Sequence, residues 1–295
     1  MKAWKAESWL LFITFVWGGT FTFTKLGLND CSPSLYISIR FSIALILALS
    51  FLFKYLKNFK KGSIIHGLIL GSFFGCGFIL QTYGLKFTSI PKSAFITGIS
   101  VLLTPFVYWL VERKNIVTFQ KLGVLIAGIG LYLFTNPRFD NLNIGDVLTL
   151  ASTFFWAFYI TYMDVFTRGK DSKNETAHLV IFQYVAAIPI SLISMFLLEM
   201  PTLKFNLNTS LFCSLLYNGA IASFLLTLIH TTVQRFTSPV KAALIFGLEP
   251  VVASIIALII FHDILTSIEW LGGTLLISGV LVSETGEKLF KKNLK

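Results

Sequence analysis

Two ionisable residues stand in apolar surroundings, where a charge is costly. Glu249 lies in LIFGLEPVV and Arg40 lies in LYISIRFSI. Burial favours the protonated form of a carboxyl, so Glu249 is expected either to take up and release a proton or to form a fixed ion pair with a buried cation. The long stem of Arg40 is able to reach a polar interface, so an interface anchor and a ligand contact are both open readings.

Further polar and aromatic side chains occur in similar apolar stretches. Gln81 and His230 are candidate binding residues, although a histidine on an apolar helix is also commonly a packed residue that does not titrate near neutral pH. The aromatic candidates for the walls of a binding site are Trp17, Tyr83, Trp156 and Tyr159. Packing in a core or against lipid is the alternative for each of them.

Motifs for enzymatic chemistry are missing from the sequence. It contains no HExxH, no GxxxxGK[ST] and no convincing nucleophile and base pair. Its three cysteines form no CxxC pattern, so Cys31, Cys76 and Cys213 are expected to be apolar filler, with a Cys31–Cys213 bridge as the alternative. We therefore predict no catalytic residue, no metal and no cofactor.

Composition indicates lipid as the solvent for these residues. Hydrophobic residues make up 55% of the 295 residues and charged residues 13%, against about 25% charged in soluble domains. Apolar stretches long enough to cross a bilayer recur along the chain. Helices are the expected form because backbone groups in lipid must be satisfied within the segment. The predicted spans 1 to 10 are residues 8–27, 34–53, 64–85, 92–111, 121–136, 146–166, 178–198, 209–234, 240–260 and 268–285.

Charge distribution orients these spans. Most of the 24 lysine and arginine residues fall in segments on the side of the two termini. Positive residues are retained in cytoplasmic loops, so both termini are predicted to be cytoplasmic and the protein to be a multi-pass protein of the cell membrane. The net charge of +10 is explained by this asymmetry and does not indicate a nucleic-acid partner.

The sequence repeats itself. KFTSIPKSAFITG at 86–98 and RFTSPVKAALIFG at 235–247 are identical at seven of thirteen positions, at an offset of 149 residues. At an offset of 139, Trp17 matches Trp156 on spans 1 and 6. The same 149-residue offset pairs Gln81 with His230, and an offset of 143 pairs Arg40 with Gln183. The chain therefore predicts two five-span units, residues 8–136 and 146–285.

An odd number of spans per unit forces the second unit to cross the membrane in the opposite sense. We therefore predict an all-α integral membrane protein of ten helices arranged as two inverted repeats, the design of many secondary transporters. Small residues let helices approach closely in lipid. The residues expected to provide packing and flexing points for motion between the units are Gly71, Gly75, Gly98, Gly247 and Pro250.

Span 1 carries WGGTFTFTK, span 4 begins with KSAFITG, span 9 contains LEP, and spans 5 and 10 contain GVLIAGIG and GGTLLISG. In this order and doubling the chain resembles the EamA-type members of the drug/metabolite transporter superfamily. The resemblance implies a central cavity lined mainly by helices 1, 3, 4, 6, 8 and 9. It also implies exchange or export of small metabolites. The family commonly has an acidic residue after both helix 4 and helix 9; Glu112 fills the first place, whereas Asp263, preceded by His262, is shifted in register.

The resulting expectation is a secondary active transporter for small polar metabolites such as amino acids, working by alternating access. Its partners are a small-molecule substrate, the lipid bilayer and, if Glu249 titrates, a coupling proton. A channel and a non-transporting membrane scaffold remain alternatives. The sequence leaves open whether the protein is a monomer or a homodimer.

Overall fold

The computed structural model of the chain is built from helices. It describes residues 1–56, 61–135, 143–169, 173–261 and 266–293, and for residues 135, 257–261 and 284–293 it describes the backbone alone. The α-helices are Ala3–Gly27, Pro33–Leu52, Lys61–Phe87, Ile90–Gly98, Ser100–Glu112, Thr118–Thr135, Ile144–Thr167, Lys173–Leu198, Thr209–Leu216, Leu226–Val233, Pro239–Phe246, Glu249–Phe261 and Ser267–Asn293. A π-helix, Tyr217–Leu225, joins two of them within span 8.

These helices match the ten predicted spans. Eight helical runs are long and apolar enough to cross a membrane, and the shorter apolar helices Thr118–Phe134 and Ser267–Ser283 supply spans 5 and 10. Many large apolar side chains face outward, as Leu197 and Phe106 do, with 76% and 72% of their surface exposed. Such an exterior suits lipid. The chain is a multi-pass membrane protein, and the face at which Ala3 begins span 1 is called the terminal face below.

Spans 4 and 9 are each broken into two helices at equivalent points. The first pieces begin alike, because the side chains of Ser89 and Ser238 accept hydrogen bonds from the backbone N–H groups of Lys92 and Lys241. A serine at this position satisfies one of the free donors at a helix start. The breaks follow 149 residues apart, between Gly98 and Ser100 and between Phe246 and Glu249.

Spans 5 and 10 cross with their backbones in close contact. A Cβ on Gly123 would lie 2.6 Å from the carbonyl oxygen of Gly279, and a Cβ on Gly130 would lie 2.8 Å from that of Gly272. Gly123 and Gly272 are repeat mates, and so are Gly130 and Gly279, so each glycine contacts the mate of the other. Residue numbers rise along one helix as they fall along the other, which means that the two spans run antiparallel about a two-fold axis. The predicted inverted repeat is confirmed.

This contact predicts different effects for two identical substitutions in span 5. A Cβ at Gly130 would lie 2.6 Å from the backbone nitrogen of Leu276, whereas one at Gly128 would lie 2.8 Å from the tip of the flexible Leu102 side chain. Alanine normally stabilises a helix relative to glycine. We expect Gly130→Ala to lower the free energy of unfolding by about 1–3 kcal/mol, as overpacking does, and Gly128→Ala to have no such effect. Thermal unfolding of the purified proteins measures this. Equal melting temperatures would contradict the glycine crossing.

Candidate functional site

A cavity lies between the two halves of the molecule. Its lining comes from spans 1, 2, 3, 4, 6, 8 and 9. The lining residues are Trp17, Thr20, Phe21, Arg40, Phe78, Gln81, Thr97, Gly98, Ser100, Trp156, Tyr159, Ile160, His230, Phe246 and Glu249. An adjoining pocket shares Arg40 and Gln81 with this cavity and extends to Thr24, Thr82 and Leu85.

Most of this lining consists of repeat mates. The mates at an offset of 139 are Trp17 and Trp156, Thr20 and Tyr159, and Phe21 and Ile160; those at an offset of 149 are Gln81 and His230, Thr97 and Phe246, and Ser100 and Glu249. A set of residues that maps onto itself under the repeat must surround the axis that relates the halves. The cavity therefore lies on the two-fold axis, where each half contributes equivalent backbone positions but different side chains.

The structure brings seven of the eight predicted binding residues together at this cavity. Tyr83 is the exception: it is not among the lining residues, and its hydroxyl donates a hydrogen bond to Glu199 Oε1 at 2.5 Å. Glu199 also accepts a hydrogen bond from the backbone nitrogen of Ser34 at 2.7 Å. Tyr83 therefore supports a carboxylate that caps the start of span 2. The pattern within a single span does not predict this contact, because the residues are distant in sequence.

Arg40 is 2% exposed and faces the cavity from span 2. Its Nε donates a hydrogen bond to Ser223 Oγ at 2.7 Å, and its Cζ lies 4.3 Å from the ring centroid of Phe78. Its terminal Nη atoms bond to none of the described residues. A guanidinium has five N–H donors, so four remain for a ligand. The ring face of Phe78 offsets part of the charge, but no described carboxylate pairs with it.

Glu249 begins the second helix of span 9 and lines the same cavity. In the described part of the chain, no hydrogen bond or ion pair involves its carboxyl group. The fixed ion pair that the sequence left open is therefore not formed with any described cation. Its repeat mate Ser100 begins the second helix of span 4, so both side chains stand at a helix start, where the backbone N–H groups favour negative charge.

Gln81 and His230 have different partners in the two halves. Gln81 Nε2 donates a hydrogen bond to Thr97 Oγ1 at 2.9 Å, which links spans 3 and 4. His230 Nε2 lies 2.9 Å from Gln234 Oε1 on the next turn, while its Nδ1 is buried with no partner among the described residues. The His230 ring packs against Trp17, Tyr159 and Phe246 at centroid distances of 5.9, 5.9 and 5.2 Å. It is thus both a packed residue and a cavity residue.

The π-helix in span 8 positions the side chains around Arg40. Trp17 Nε1 donates a hydrogen bond to the carbonyl oxygen of Ala222 at 3.2 Å, and the Tyr184 hydroxyl donates to that of Ser223 at 2.7 Å. π-helical turns are frequent at functional sites. Sequence patterning treats span 8 as one regular helix and does not reveal this segment.

The predicted packing residues occupy two kinds of position. On span 3, a Cβ at Gly71 would lie 2.6 Å from Gln183 Cα and one at Gly75 would lie 3.1 Å from Ala187 Cα, so both contact the backbone of span 7. Gly98 and Gly247 lie at the breaks of spans 4 and 9. A Cβ at Gly98 would lie 3.4 Å from Pro250 Cγ, and one at Gly247 would lie 2.5 Å from Val101 Cγ2. Val101 and Pro250 are repeat mates, so the broken spans also cross on the two-fold axis.

Several lining residues were absent from the sequence-based candidates, among them Thr20, Phe78, Thr97 and Ser100. Thr20 and Ser100 can be found from the sequence alone, because the repeat offsets pair them with Tyr159 and Glu249. No sequence pattern indicates Phe78, because its role depends on its distance to the Arg40 guanidinium.

The described residues form neither a metal-binding group nor a disulfide bond. Among them, no group of three His, Cys, Asp or Glu side chains is arranged to hold a metal ion. The three cysteines are free, so the alternative Cys31–Cys213 bridge is not formed. Burial, with the Glu199 carboxylate nearby, raises the pKa of the Cys31 thiol to about 12. Asp263, the acidic residue after span 9, and the preceding His262 lie outside the described residues.

Comparison with known proteins gives a consistent result. Residues 4–136 and 143–285 each match the model of the EamA-like transporter family. An uncharacterized transporter of Archaeoglobus fulgidus is 29% identical over 94% of this chain and 85% of the relative. A probable amino-acid metabolite efflux pump of Escherichia coli is 24% identical over 94% of this chain and 93% of the relative. A solved crystal structure matches with a TM-score of 0.75 and 13% identity over 95% of this chain and 97% of that one, a likeness of fold.

The repeat provides a matched test of the tryptophan contacts. Trp17 Nε1 bonds to Ala222, whereas the buried Nε1 of Trp156 has no partner among the described residues. We expect Trp17→Phe to lower the free energy of unfolding by about 1–2 kcal/mol more than Trp156→Phe, because only the first strands a carbonyl group of the π-helix. Melting temperatures of the two variants report the difference. A larger loss in Trp156→Phe would refute the assignment of these hydrogen bonds.

Proposed function

Because the chain belongs to the EamA-like transporter family, we propose that it is a secondary active transporter that moves small polar metabolites, amino acids or related compounds, across the cytoplasmic membrane by alternating access. The proposed repeat units are residues 8–136 and 146–285. Membrane transport itself follows from the family. The substrate class, the mechanism and the coupling are the proposal.

The observation that carries the proposal is the position of the cavity on the two-fold axis. Equivalent residues of the two inverted halves surround it. If the halves exchange conformations, the same cavity opens to one face of the membrane and then to the other. Gly71 and Gly75 on span 3, together with Gly98, Gly247 and Pro250 at the crossing of the broken spans, are the proposed packing and flexing points of this motion.

The charges in the cavity support a substrate that carries both signs. Arg40 has Nη donors without a described partner, and the planar guanidinium group matches the two oxygens of a carboxylate. Glu249 offers an acceptor for an ammonium group. Trp17, Trp156 and Tyr159 provide apolar walls, and Gln81 and His230 provide polar contacts. The name of the Escherichia coli relative, a probable amino-acid metabolite efflux pump, fits this class.

Glu249 is also the proposed carrier of a coupling proton. A carboxyl without a fixed counter-ion exchanges a proton with whichever aqueous side reaches the cavity. An intramembrane carboxyl costs about 2.5–3.5 kcal/mol in the charged form on insertion scales, so protonation favours its movement through a closed, dry state. Binding of an ammonium group and binding of a proton are then competing events at one carboxyl.

A transport assay separates the two charged residues. In proteoliposomes loaded with an amino-acid mixture, we expect counterflow-stimulated uptake of labelled amino acids by the wild type. Glu249→Gln should abolish the dependence of uptake on a pH gradient. Arg40→Gln, which installs the residue of its repeat mate, should reduce uptake by about tenfold or more, as the loss of a charged hydrogen-bond pair does.

The control is Phe106→Leu, a change at a side chain that faces lipid. Uptake that neither saturates nor shows counterflow would indicate a channel, and the absence of any flux would favour a non-transporting scaffold. Either result would overturn the proposed transport. Wild-type flux at every pH in Glu249→Gln would remove Glu249 from the mechanism.

A labelling experiment tests the proposed orientation. Lys204 lies between spans 7 and 8, and Lys173 begins span 7 at the terminal face. In protein whose Cys31, Cys76 and Cys213 are replaced by serine, and with both termini cytoplasmic, a membrane-impermeant thiol reagent applied to intact cells should label Lys204→Cys and should not label Lys173→Cys. Permeabilised cells supply the control, since both cysteines should then react. Labelling of Lys173→Cys alone in intact cells would reverse the topology.

A further inference from the structure

Two ion pairs join the halves of the molecule at opposite faces of the membrane. Lys92, at the start of span 4, places its Nζ 2.6 Å from Asp146 Oδ2 at the start of span 6. Lys241, at the start of span 9, places its Nζ 3.4 Å from Glu7 Oε1 on span 1. The first pair lies at the face opposite the terminal face, and the second lies at the terminal face.

The repeat relates these two pairs to each other. Lys92 and Lys241 are mates at the offset of 149, and Glu7 and Asp146 are mates at the offset of 139 that also pairs the cavity tryptophans. Each pair therefore links a broken span of one half to the first span of the other half. The repeated phrase FTS and the lysine that follows it thus encode one contact twice, once for each face.

The two contacts differ in length and in the hydrogen bonds that support them. At the opposite face, Asp146 also accepts a hydrogen bond from Thr88 Oγ1 at 2.7 Å. At the terminal face, the mate of that threonine, Thr237, has a buried Oγ1 without a partner among the described residues. The pair at the terminal face is longer, 3.4 Å against 2.6 Å, and lacks the hydrogen bond from a threonine hydroxyl. Both ion pairs are formed, but only the one at the opposite face is supported by a threonine hydroxyl.

Span 1 reinforces this difference. Lys25 Nζ donates hydrogen bonds to the carbonyl oxygens of Leu85 and Thr88 at 2.5 and 2.8 Å, which holds the segment between spans 3 and 4. The repeat mate of Lys25 is Asp164, which forms an ion pair with Arg168 four residues later on the same segment. Among the described residues, Asp164 makes no hydrogen bond to the end of span 8 that would correspond to these Lys25 contacts.

Another ion pair at the terminal face, between Arg168 Nη1 and Glu112 Oε2 at 2.5 Å, also connects the halves. Its repeat mates are Asn29 and Phe261, which are not charged. It therefore occurs once and cannot alternate with an equivalent pair at the other face. Duplication singles out the two lysine pairs.

We infer that Lys92–Asp146 with Thr88, and Lys241–Glu7 with Thr237, are a pair of alternating gates that close opposite faces of the cavity in turn. This inference rests on the proposed alternating access. Shortening of one ion pair stabilises the state in which its face is closed, and shortening of the equivalent pair stabilises the other state. Because the chemistry is the same on both sides, the two states stay close in free energy and exchange remains possible.

The test measures access to the cavity and needs no transported substrate. A single cysteine, Thr20→Cys, is placed in the cavity wall after Cys31, Cys76 and Cys213 are replaced by serine. A membrane-impermeant thiol reagent is then applied from the face opposite the terminal face in sealed vesicles. Lys92→Gln and Lys241→Gln are the matched variants, identical substitutions at repeat-equivalent positions. Glu269→Gln is the control, because that carboxylate caps its own helix through Thr266.

We expect Lys92→Gln to raise the labelling rate from this face by about tenfold, the change in equilibrium that about 1.4 kcal/mol produces. Lys241→Gln should lower the rate, because it weakens the state in which this face is open. Thr88→Val and Thr237→Val should shift the rate in the same two directions by smaller factors, and they retain every charge. The double variant Glu7→Lys with Lys241→Glu keeps an opposite-charge pair, so its labelling rate should be close to that of the single-cysteine protein without further changes.

Shifts of the same sign in both lysine variants, or shifts no larger than in Glu269→Gln, would overturn the gates. Transport measured in parallel separates this outcome from failure of the proposed function. Opposite shifts without transport would retain the gates in a protein that does not carry amino acids. Normal transport without shifts would reject the gates alone.

Discussion

The antiparallel crossing of spans 5 and 10 is the contact on which the arrangement of the two halves depends. Gly123 and Gly130 contact Gly279 and Gly272 so closely that a side chain on any of them would meet backbone atoms. In lipid the hydrophobic effect does not drive helices together, so close packing of their backbones contributes to their association instead. Since each glycine faces the mate of the other, this contact also defines the two-fold axis. The broken spans 4 and 9 cross on the same axis, and the cavity lies where their second helices begin.

The axis explains why the cavity is nearly symmetric in position and asymmetric in charge. Equivalent backbone positions carry Ser100 in one half and Glu249 in the other, and Gln183 corresponds to Arg40. The repeat gives the two halves equivalent backbone positions, and differences between single side chains give the cavity its asymmetric charge. A fully symmetric cavity would present the same groups twice, whereas this one has a guanidinium toward span 2 and a carboxyl toward span 9.

Much of this architecture follows from the sequence because lipid imposes long apolar helices and the repeat marks their relation. The ten spans and the inverted topology follow from the lengths of the apolar stretches and from the doubled phrase around Lys92 and Lys241. Seven of the eight predicted binding residues line one cavity for the same reason: polar groups in lipid are placed inside. Their roles in transport remain predictions.

What the sequence does not predict depends on contacts between distant segments. Tyr83 has the same residue type as the cavity tyrosine Tyr159, but its hydroxyl lies against Glu199, and no local pattern reveals that partner. The π-helix in span 8 arises where Trp17, Tyr184 and Arg40 all bond to one segment, so tertiary contacts determine it. The ion pairs between halves also required the fold, since the offsets of their two partners differ by ten residues.

In protein whose native cysteines are replaced by serine, distances between spin labels at the two faces give a direct test of alternating access. One pair, Lys86→Cys with Lys204→Cys, spans the halves at the face opposite the terminal face; the other, Lys114→Cys with Lys173→Cys, spans them at the terminal face. If one cavity opens to each face in turn, a longer distance at one face should accompany a shorter distance at the other in the wild-type background, in Lys92→Gln and in Lys241→Gln. Distances that lengthen together at both faces would contradict a single cavity reached from each side in turn.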